Sequence, residues 1–352
     1  MTQLTRNQCL NLDTYTPPAT PLLVTPSQHI QVDFQAFNAR YLCGGGALVE
    51  LKSVGWLDLW KRSVGVNTSP LAHKLAALIK QFNRCAGLLA NEGPSLEHFL
   101  KAYNQLIGHS SLKKGIRNIE SWRGEQVKEG DRIYFVEPTQ ISSLINELLV
   151  FIENNHSSNK DSDFSVHVIT YTQFINIHPF TDANGRFSRA LLESHLPRAL
   201  SPNLYRLTDQ GRKSYTRYQA NQSSECHTVL TSDFWQEALS WQTRTQIEID
   251  DMISHTQAVI NNKLALRHLL PREKGIIQLL WQQPLISPFY VAQQLHCSPQ
   301  QVMSALKTLH SLKLIQPFKL HGQQSTHPKT LLFLCKETSD LWLNIEKAIF
   351  DQ

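Results

Sequence analysis

One short segment of the sequence, HPFTDANGRFSR at residues 178–189, gathers several side chains that can take part in chemistry. Histidine side chains ordinarily titrate near about pH 6.5, so His178 can accept a proton from an attacking hydroxyl group at neutral pH. Asp182 supplies a carboxylate of the kind that holds Mg²⁺ together with substrate oxygens and water. Arg186 and Arg189 can each bind phosphate oxygens through two N–H donors. The segment therefore indicates chemistry on a phosphate compound.

The segment lies between two stretches that predict helices, FSVHVITYTQFINI before it and FSRALLESHL after it. The first stretch is apolar around most of its circumference, which is typical of a helix at the centre of a bundle. The backbone N–H groups of Asn184, Gly185 and Arg186 then lie at or near the N-terminus of the second helix, where anions bind favourably. Gly185 lets a ligand approach the backbone closely because it has no side chain.

Each of these residues also has a purely structural interpretation. His178 could be satisfied within a core, Asp182 could cap the second helix, and the two arginines could belong to a solvated helix face. The combination of a base, a carboxylate, a glycine and two cations in one loop favours a functional site over these alternatives.

The segment resembles the signature of Fic-domain proteins, H-P-F-x-[D/E]-[G/A]-N-G-R-x-x-R, and fills each specified position, with Ala183 where many members have glycine. The resemblance extends over roughly residues 70 to 260. It implies a mainly α fold, namely a Fic-type helical bundle with a β-hairpin flap, and a winged helix often follows this bundle. Most members with the complete motif transfer AMP from ATP to a Ser, Thr or Tyr hydroxyl group of a protein.

The resemblance implies a role for each motif residue. His178 would be the base, and Asp182 would bind Mg²⁺. Four residues would hold the phosphates of ATP, the last of them the γ-phosphate: Asn184, Gly185, Arg186 and Arg189. The flap would align the target protein by strand addition, which needs only backbone pairing.

Two further residues are assigned by the resemblance alone. Many Fic proteins carry an inhibitory helix with the pattern [S/T]-x-x-x-E-[G/N], whose glutamate pairs with the final motif arginine. The predicted helix over residues 70–93 ends in LLANEG and offers Glu92, but Leu88 occupies the Ser/Thr position, so an ordinary exposed carboxylate is the alternative. The stretch RKSYTRY resembles the later helix that contributes a tyrosine beside the adenine. It indicates Tyr215, for which simple packing is the alternative.

The elements that must position the loop can be predicted from periodicity. Apolar residues at helical spacing predict one helix from Pro70 and a second from Ser95, whose side chain can cap it. The stretch WRGEQVKEGDRIYFVEP predicts a β-hairpin with its turn at Gly130-Asp131. An amphipathic helix is expected after Pro138.

The C-terminal part of the chain predicts a separate module. Three helices followed by two strands is the order of a winged helix-turn-helix. Between Pro271 and Cys335 there are six lysines or arginines against one acidic residue. The predicted recognition helix offers polar residues for DNA grooves, namely Gln300, Gln301, Ser304, Lys307 and Thr308. DNA binding is one interpretation, and protein contact or homodimer formation is the other.

The expected organisation is an irregular N-terminal arm over residues 1–69, a Fic domain over 70–265 and the winged helix over 266–352. Apolar residues make up 41% and charged residues 18%, and no apolar run approaches the length of a membrane helix. The start of the sequence resembles no secretory signal, so a cytoplasmic location is expected. The six cysteines show no C-x-x-C pair, which indicates neither a zinc site nor a disulfide framework.

The resemblance therefore implies a protein adenylyltransferase that uses MgATP, with autoinhibition and self-modification as further expectations. One alternative uses the same site to remove AMP from a protein or to transfer another group such as UMP. A second alternative is a DNA-binding regulator whose Fic domain only senses a nucleotide, and a third is a toxin restrained by a separate inhibitor. His178 favours an enzyme because a sensor needs the phosphate site but no base.

Overall fold

The computed structural model describes residues 9, 12, 50–51, 53–91, 95–108, 115–122, 134–156, 164–195, 232–264, 267–320 and 331–350. The chain divides into two compact units, one made of Met1–Val24 and Leu78–Thr243 and the other of Thr25–Ala77 and Arg244–Gln352. Both are mainly helical, as predicted. None of the helices in the described ranges combines the length and the apolar character needed to cross a membrane.

Helix α1, Trp56–Ser63, lies in the N-terminal stretch that was expected to be irregular. It is amphipathic and buries Trp56, Leu59 and Trp60, which recur at the three-to-four-residue spacing of a helix face. Both tryptophan rings pack edge-on against Trp342, with ring centroids 4.9 and 5.8 Å apart. The expectation of an irregular segment was therefore wrong at α1, because its eight residues are too few to show a clear helical period in the sequence.

The next three described helices precede residues 178–183, the motif loop, in the chain. Helix α2 spans Pro70–Asn91 and begins at the predicted proline. Helix α3 spans Leu96–Ile107, and the Ser95 hydroxyl accepts the N–H of His98 at 3.2 Å, which confirms the predicted cap. Helix α4 spans Ile141–His156 and follows a short 3-10 turn.

Helices α5, Phe164–Ile177, and α6, Asn184–His195, are joined by the motif loop. Helix α5 packs against both α4 and α6, which fits its nearly uniform apolar surface and confirms its predicted central place. A cluster of aromatic rings joins α3 to the loop and its two helices: Phe99, Tyr103, Phe174, Phe180 and Phe187. The loop is therefore anchored in the core of this unit.

The predicted flap is described only at its base. Trp122 pairs with Tyr134 in an isolated antiparallel bridge, and the Phe135 N–H donates to the Ser121 carbonyl at 2.9 Å. This pairing is what the base of an antiparallel hairpin shows. The predicted turn at Gly130-Asp131 lies outside the described residues.

The second unit contains a small sheet among helices. The helices are α7, Ser232–Leu264, which begins in the first unit, then α8, Pro271–Gln282, α9, Pro288–Gln294, α10, Pro299–Ser311, and α11, Lys336–Phe350. The strands are β1, Leu285–Ile286, β2, Gln316–Phe318, and β3, Leu332–Leu334. They pair antiparallel in the order β1-β3-β2, with Leu285 and Gln316 both opposite Leu334.

The order of three helices followed by β2 and β3 is the one that the sequence indicated, whereas β1 was not expected. Two residues are too few to show a strand period, so β1 is visible only through its pairing with β3. The winged-helix assignment itself stays a prediction.

Candidate active site

The motif loop has an unusual backbone that the rest of the unit must hold in place. His178 and Ala183, its first and last residues, have φ angles of +51° and +62°. A left-handed conformation costs a residue with a side chain roughly 1–2 kcal/mol. Glycine adopts this conformation without that cost, so Ala183 is strained where a glycine would not be.

Asn184 closes the loop with its side chain. Its carboxamide accepts the N–H of Phe180 at 2.9 Å and donates to the carbonyl of the same residue at 2.7 Å. The side chain is buried. Asn184 is also the first residue of α6, and the N–H groups of a first helical turn have no carbonyl partner within the helix. A phosphate would therefore meet the backbone of Asn184 rather than its carboxamide.

The middle of the loop rests on Tyr103 of α3. The rings of Tyr103 and Phe180 stack with centroids 3.8 Å apart and planes 12° apart. The Tyr103 hydroxyl donates to the carbonyl of Asp182 at 3.3 Å. Burial, and then the nearby Asp182 carboxylate, raises the pKa of Tyr103 above its ordinary value, so the hydroxyl stays a donor at neutral pH. Phe180 thus anchors the loop in the core.

The Asp182 carboxylate makes two separate contacts within the motif. One carboxylate oxygen accepts the N–H of Ala183, and the other lies 3.5 Å from Nη2 of Arg186. The Asp182 side chain is 58% exposed, and that of Arg186 is 17% exposed. Within the described ranges, no three His, Cys, Asp or Glu side chains group closely enough to hold a metal ion. The carboxylate therefore fits Mg²⁺ only where phosphate oxygens and water complete the coordination.

Gly185 and Arg189 form the other side of the predicted anion site. A Cβ atom placed on Gly185 would lie 3.6 Å from Nη1 of Arg189, so the guanidinium group lies against the first turn of α6. A permanent cation and the positive end of a helix are thereby brought together. This is the arrangement that binds phosphate groups at helix N-termini.

His178 is half-buried and directly follows α5. Its ring makes one contact through its face and another through a ring nitrogen. The imidazole stacks on Phe135 with centroids 3.7 Å apart and planes 7° apart. Its Nδ1 atom lies 3.4 Å from the Ile175 carbonyl. A carbonyl at that position favours the tautomer with the proton on Nδ1, which leaves Nε2 as the basic nitrogen.

Arg117 is a site residue that sequence reasoning missed. Its side chain is buried, and its Nε and Nη1 atoms donate to the carbonyls of His178 at 2.7 Å and Ile119 at 2.8 Å. Phe135 was missed as well. Neither residue carries a local signal, because GIRNIESW and RIYFVEP look like ordinary parts of a hairpin.

All six predicted motif residues lie in the described part of the chain: His178, Asp182, Asn184, Gly185, Arg186 and Arg189. Among them, Asp182 lies beside Arg186, and Arg189 lies beside Gly185. The predicted Glu92 and Tyr215 lie outside the described residues. Their assignments stay predictions.

Comparisons with known proteins bear on the part of the chain that holds this loop. A solved structure of a Fic family protein from Desulfovibrio desulfuricans G20 is 14% identical, covers 86% of each chain and has a TM-score of 0.46. A Fic domain containing signaling protein from Bacteroides thetaiotaomicron VPI-5482 is 11% identical, covers 61% of this chain and 87% of that chain, and has a TM-score of 0.40. No curated protein matches the sequence. The Fic/DOC family model matches residues 94–196, and this part of the chain, from α3 through the loop to α6, is a Fic/DOC family domain.

Proposed function

We propose that this protein is an adenylyltransferase that moves AMP from ATP to a Ser, Thr or Tyr hydroxyl group of a protein. Its Fic/DOC domain supports nucleotidyl transfer in general. The observation that carries the finer proposal is the pairing of a held histidine with an anion site six residues further along the chain. A protein that only sensed a nucleotide would need the anion site but not the histidine.

The anion site would bind the triphosphate. The backbone N–H groups at the start of α6 point along the helix axis toward the loop, and Arg189 lies beside Gly185 on the same turn. Arg186 is directed to Asp182 and can turn from that carboxylate to a phosphate oxygen. Positioning and charge neutralisation are the main sources of rate in phosphoryl transfer, and these groups supply both.

His178 would act as the general base. The hydroxyl oxygen of the target attacks the α-phosphorus of ATP, and a new oxygen–phosphorus bond forms. The bond from that phosphorus to the oxygen shared with the β-phosphate breaks, and pyrophosphate leaves with the electron pair. The proton of the hydroxyl group passes to Nε2 of His178. General-base catalysis of this kind contributes roughly 10²- to 10⁴-fold.

Asp182 would hold Mg²⁺ through its exposed carboxylate oxygen, which now faces Arg186. The bound ion would neutralise charge on the phosphates of the nucleotide. The other oxygen of Asp182 would keep its bond to the Ala183 N–H, so the loop need not change its shape to accept the ion.

The test is incubation of the purified chain with Mg²⁺ and ATP labelled at the α-phosphate, alone and with cell lysate, followed by intact mass measurement. We expect the label on the chain or on another protein, as one added AMP. His178→Ala should abolish the label while ATP binding persists, and His255→Ala, which removes an exposed histidine on α7, should change nothing.

Two results would contradict the proposal. Absence of label with the intact chain, in lysate as well, would favour another nucleotide donor, removal of AMP or a regulator without catalysis. Loss of ATP binding in His178→Ala would show that the histidine serves the structure of the loop rather than the reaction.

A further inference from the structure

Three consecutive backbone carbonyl groups at the end of α5 accept hydrogen bonds from one residue, Arg117. Arg117 donates from Nε to His178 at 2.7 Å, from Nη2 to Ile177 at 3.4 Å, and from its backbone N–H to Pro179 at 2.8 Å. Carbonyls at the end of a helix have no partner within the helix, and a buried one must find a partner elsewhere. Arg117 therefore supplies partners for Ile177, the last residue of α5, and for the first two residues of the motif loop.

The same guanidinium group also binds both arms at the base of the flap. Nη1 donates to the carbonyl of Ile119 at 2.8 Å, and Nη2 donates to the carbonyl of Val136. A planar guanidinium group has five N–H donors in a fixed arrangement, whereas a lysine has three donors on a single nitrogen. Only an arginine can serve all these carbonyls from one buried position.

The ring of His178 packs against Phe135, the residue before Val136, whose carbonyl accepts from Arg117. Phe135 precedes Val136 on the returning arm of the flap and stacks on the imidazole at 3.7 Å. The base of the flap thus holds His178 twice, by its carbonyl through Arg117 and by its ring through Phe135. His178 has a strained φ of +51°. A strained residue keeps its conformation only where the surrounding structure imposes it.

We propose that Arg117 is a positioning residue for His178. Its hydrogen bonds fix the backbone of His178 so that the ring lies flat on Phe135, with Nδ1 toward the Ile175 carbonyl and Nε2 as the basic nitrogen. This inference rests on the proposed function for the role of His178 in catalysis. The geometry of the ring that it explains does not depend on that role.

The test compares the wild-type chain with Arg117→Met, which removes the donors, and Arg117→Lys, which keeps the charge. Leu148→Ala, which leaves a cavity in α4 at a fully buried residue that bonds to neither Arg117 nor the loop, is the control for lost stability. The first measurement is NMR of the full chain with ¹⁵N-labelled histidine, in which the signals absent from His178→Ala identify the ring of His178. We expect one tautomer, protonated at Nδ1, in the wild type and a mixture of both tautomers in Arg117→Met, with Arg117→Lys between them.

The second measurement is AMP transfer. We expect Arg117→Met to lower kcat by about 100-fold with the KM for ATP changed less than about threefold, because a misplacement of about 1 Å at a reacting group can cost this much in rate. Leu148→Ala should lower the melting temperature without changing the tautomer.

Each result decides the inference. Unchanged ring signals in Arg117→Met, or the same tautomer mixture in Leu148→Ala, would overturn it, since the arginine would then serve only the stability of the fold. If Arg117→Met does not fold, a wild-type tautomer in Arg117→Lys at full kcat overturns it, and a mixture with reduced kcat supports it. If the wild-type chain transfers no AMP, the proposed function fails while the ring signals still test the positioning role.

Discussion

At the residue scale, the predicted anion site depends on the absence of a side chain at Gly185. A methyl group there would lie in ordinary contact with Arg189, 3.6 Å from Nη1, so the fold tolerates it. We expect Gly185→Ala to change the free energy of unfolding by no more than about 1 kcal/mol. The methyl group would occupy the space between the first turn of α6 and the guanidinium, where a phosphate must approach the backbone. ATP affinity should therefore fall by about tenfold or more, since a hydrogen bond to a charged group contributes about 1.5–3 kcal/mol.

Isothermal titration calorimetry with ATP and thermal melts check this expectation. Gly87→Ala on α2 is the matched control, because a Cβ at Gly87 meets nothing within 4 Å. It should leave ATP affinity unchanged. An unaltered affinity in Gly185→Ala would place the phosphates away from the start of α6.

Asp182 belongs to the same scale, because its two oxygens have separable partners. Asp182→Asn keeps an oxygen for the Ala183 N–H and removes the charge that faces Arg186. Exposed ion pairs contribute about 0–1 kcal/mol, so the melting temperature should change little. The Mg²⁺ concentration that gives half-maximal transfer should rise by about tenfold or more, which a titration of activity against Mg²⁺ measures. An unchanged Mg²⁺ dependence would reject Asp182 as the metal ligand.

At the element scale, the features set by neighbouring residues were predicted from the sequence. The features that depend on contacts between distant residues were missed. The six motif residues were found because they lie within twelve positions, and α5 was placed centrally because its apolar surface is continuous. Arg117 and Phe135 were not found, because Arg117 meets His178 across 61 positions and only the folded flap brings them together. Strand β1 was missed for the same reason, since its two residues are recognisable only beside β3.

Helix α2 carries the remaining regulatory expectation. It ends at Asn91, so the predicted inhibitory Glu92 directly follows it. If Glu92 pairs with Arg189, it holds the cation that would bind the γ-phosphate. Glu92→Gly should then raise AMP transfer by about fivefold or more, as for an ordinary coupling between two sites. Rates measured beside Glu97→Gly, an exposed carboxylate change on α3, check this expectation, and an equal or lower rate in Glu92→Gly would reject it.

At the scale of the whole molecule, the second unit contains a stretch with an uneven charge balance. Only one acidic residue, Glu273, accompanies the six lysines and arginines between Pro271 and Cys335. Glu273 is buried, and its carboxylate accepts the N–H of Leu270 at 2.9 Å. The stretch between Pro271 and Cys335 is therefore basic, which favours an acidic partner such as DNA for this part of the chain.

Helix α10 is the element that would enter a DNA groove if the winged-helix prediction holds. It buries Val302, Leu306 and Leu309 on one face and exposes Ser304 and Lys307 on the other. We predict that the full chain binds duplex DNA and that affinity falls as salt rises, with a slope of about −0.9 for each phosphate contact.

Lys307→Gln tests whether α10 makes those contacts. It should reduce the salt slope by about one and weaken binding to all sequences alike, as expected for a lysine that meets a phosphate. Lys347→Gln on α11 removes an equally exposed charge from another helix and should leave the slope unchanged. Fluorescence anisotropy with labelled duplexes at several salt concentrations measures both variants. Absence of binding by the wild-type chain would contradict this prediction. It would favour the alternative that the polar face of α10 contacts a protein or a second copy of the chain.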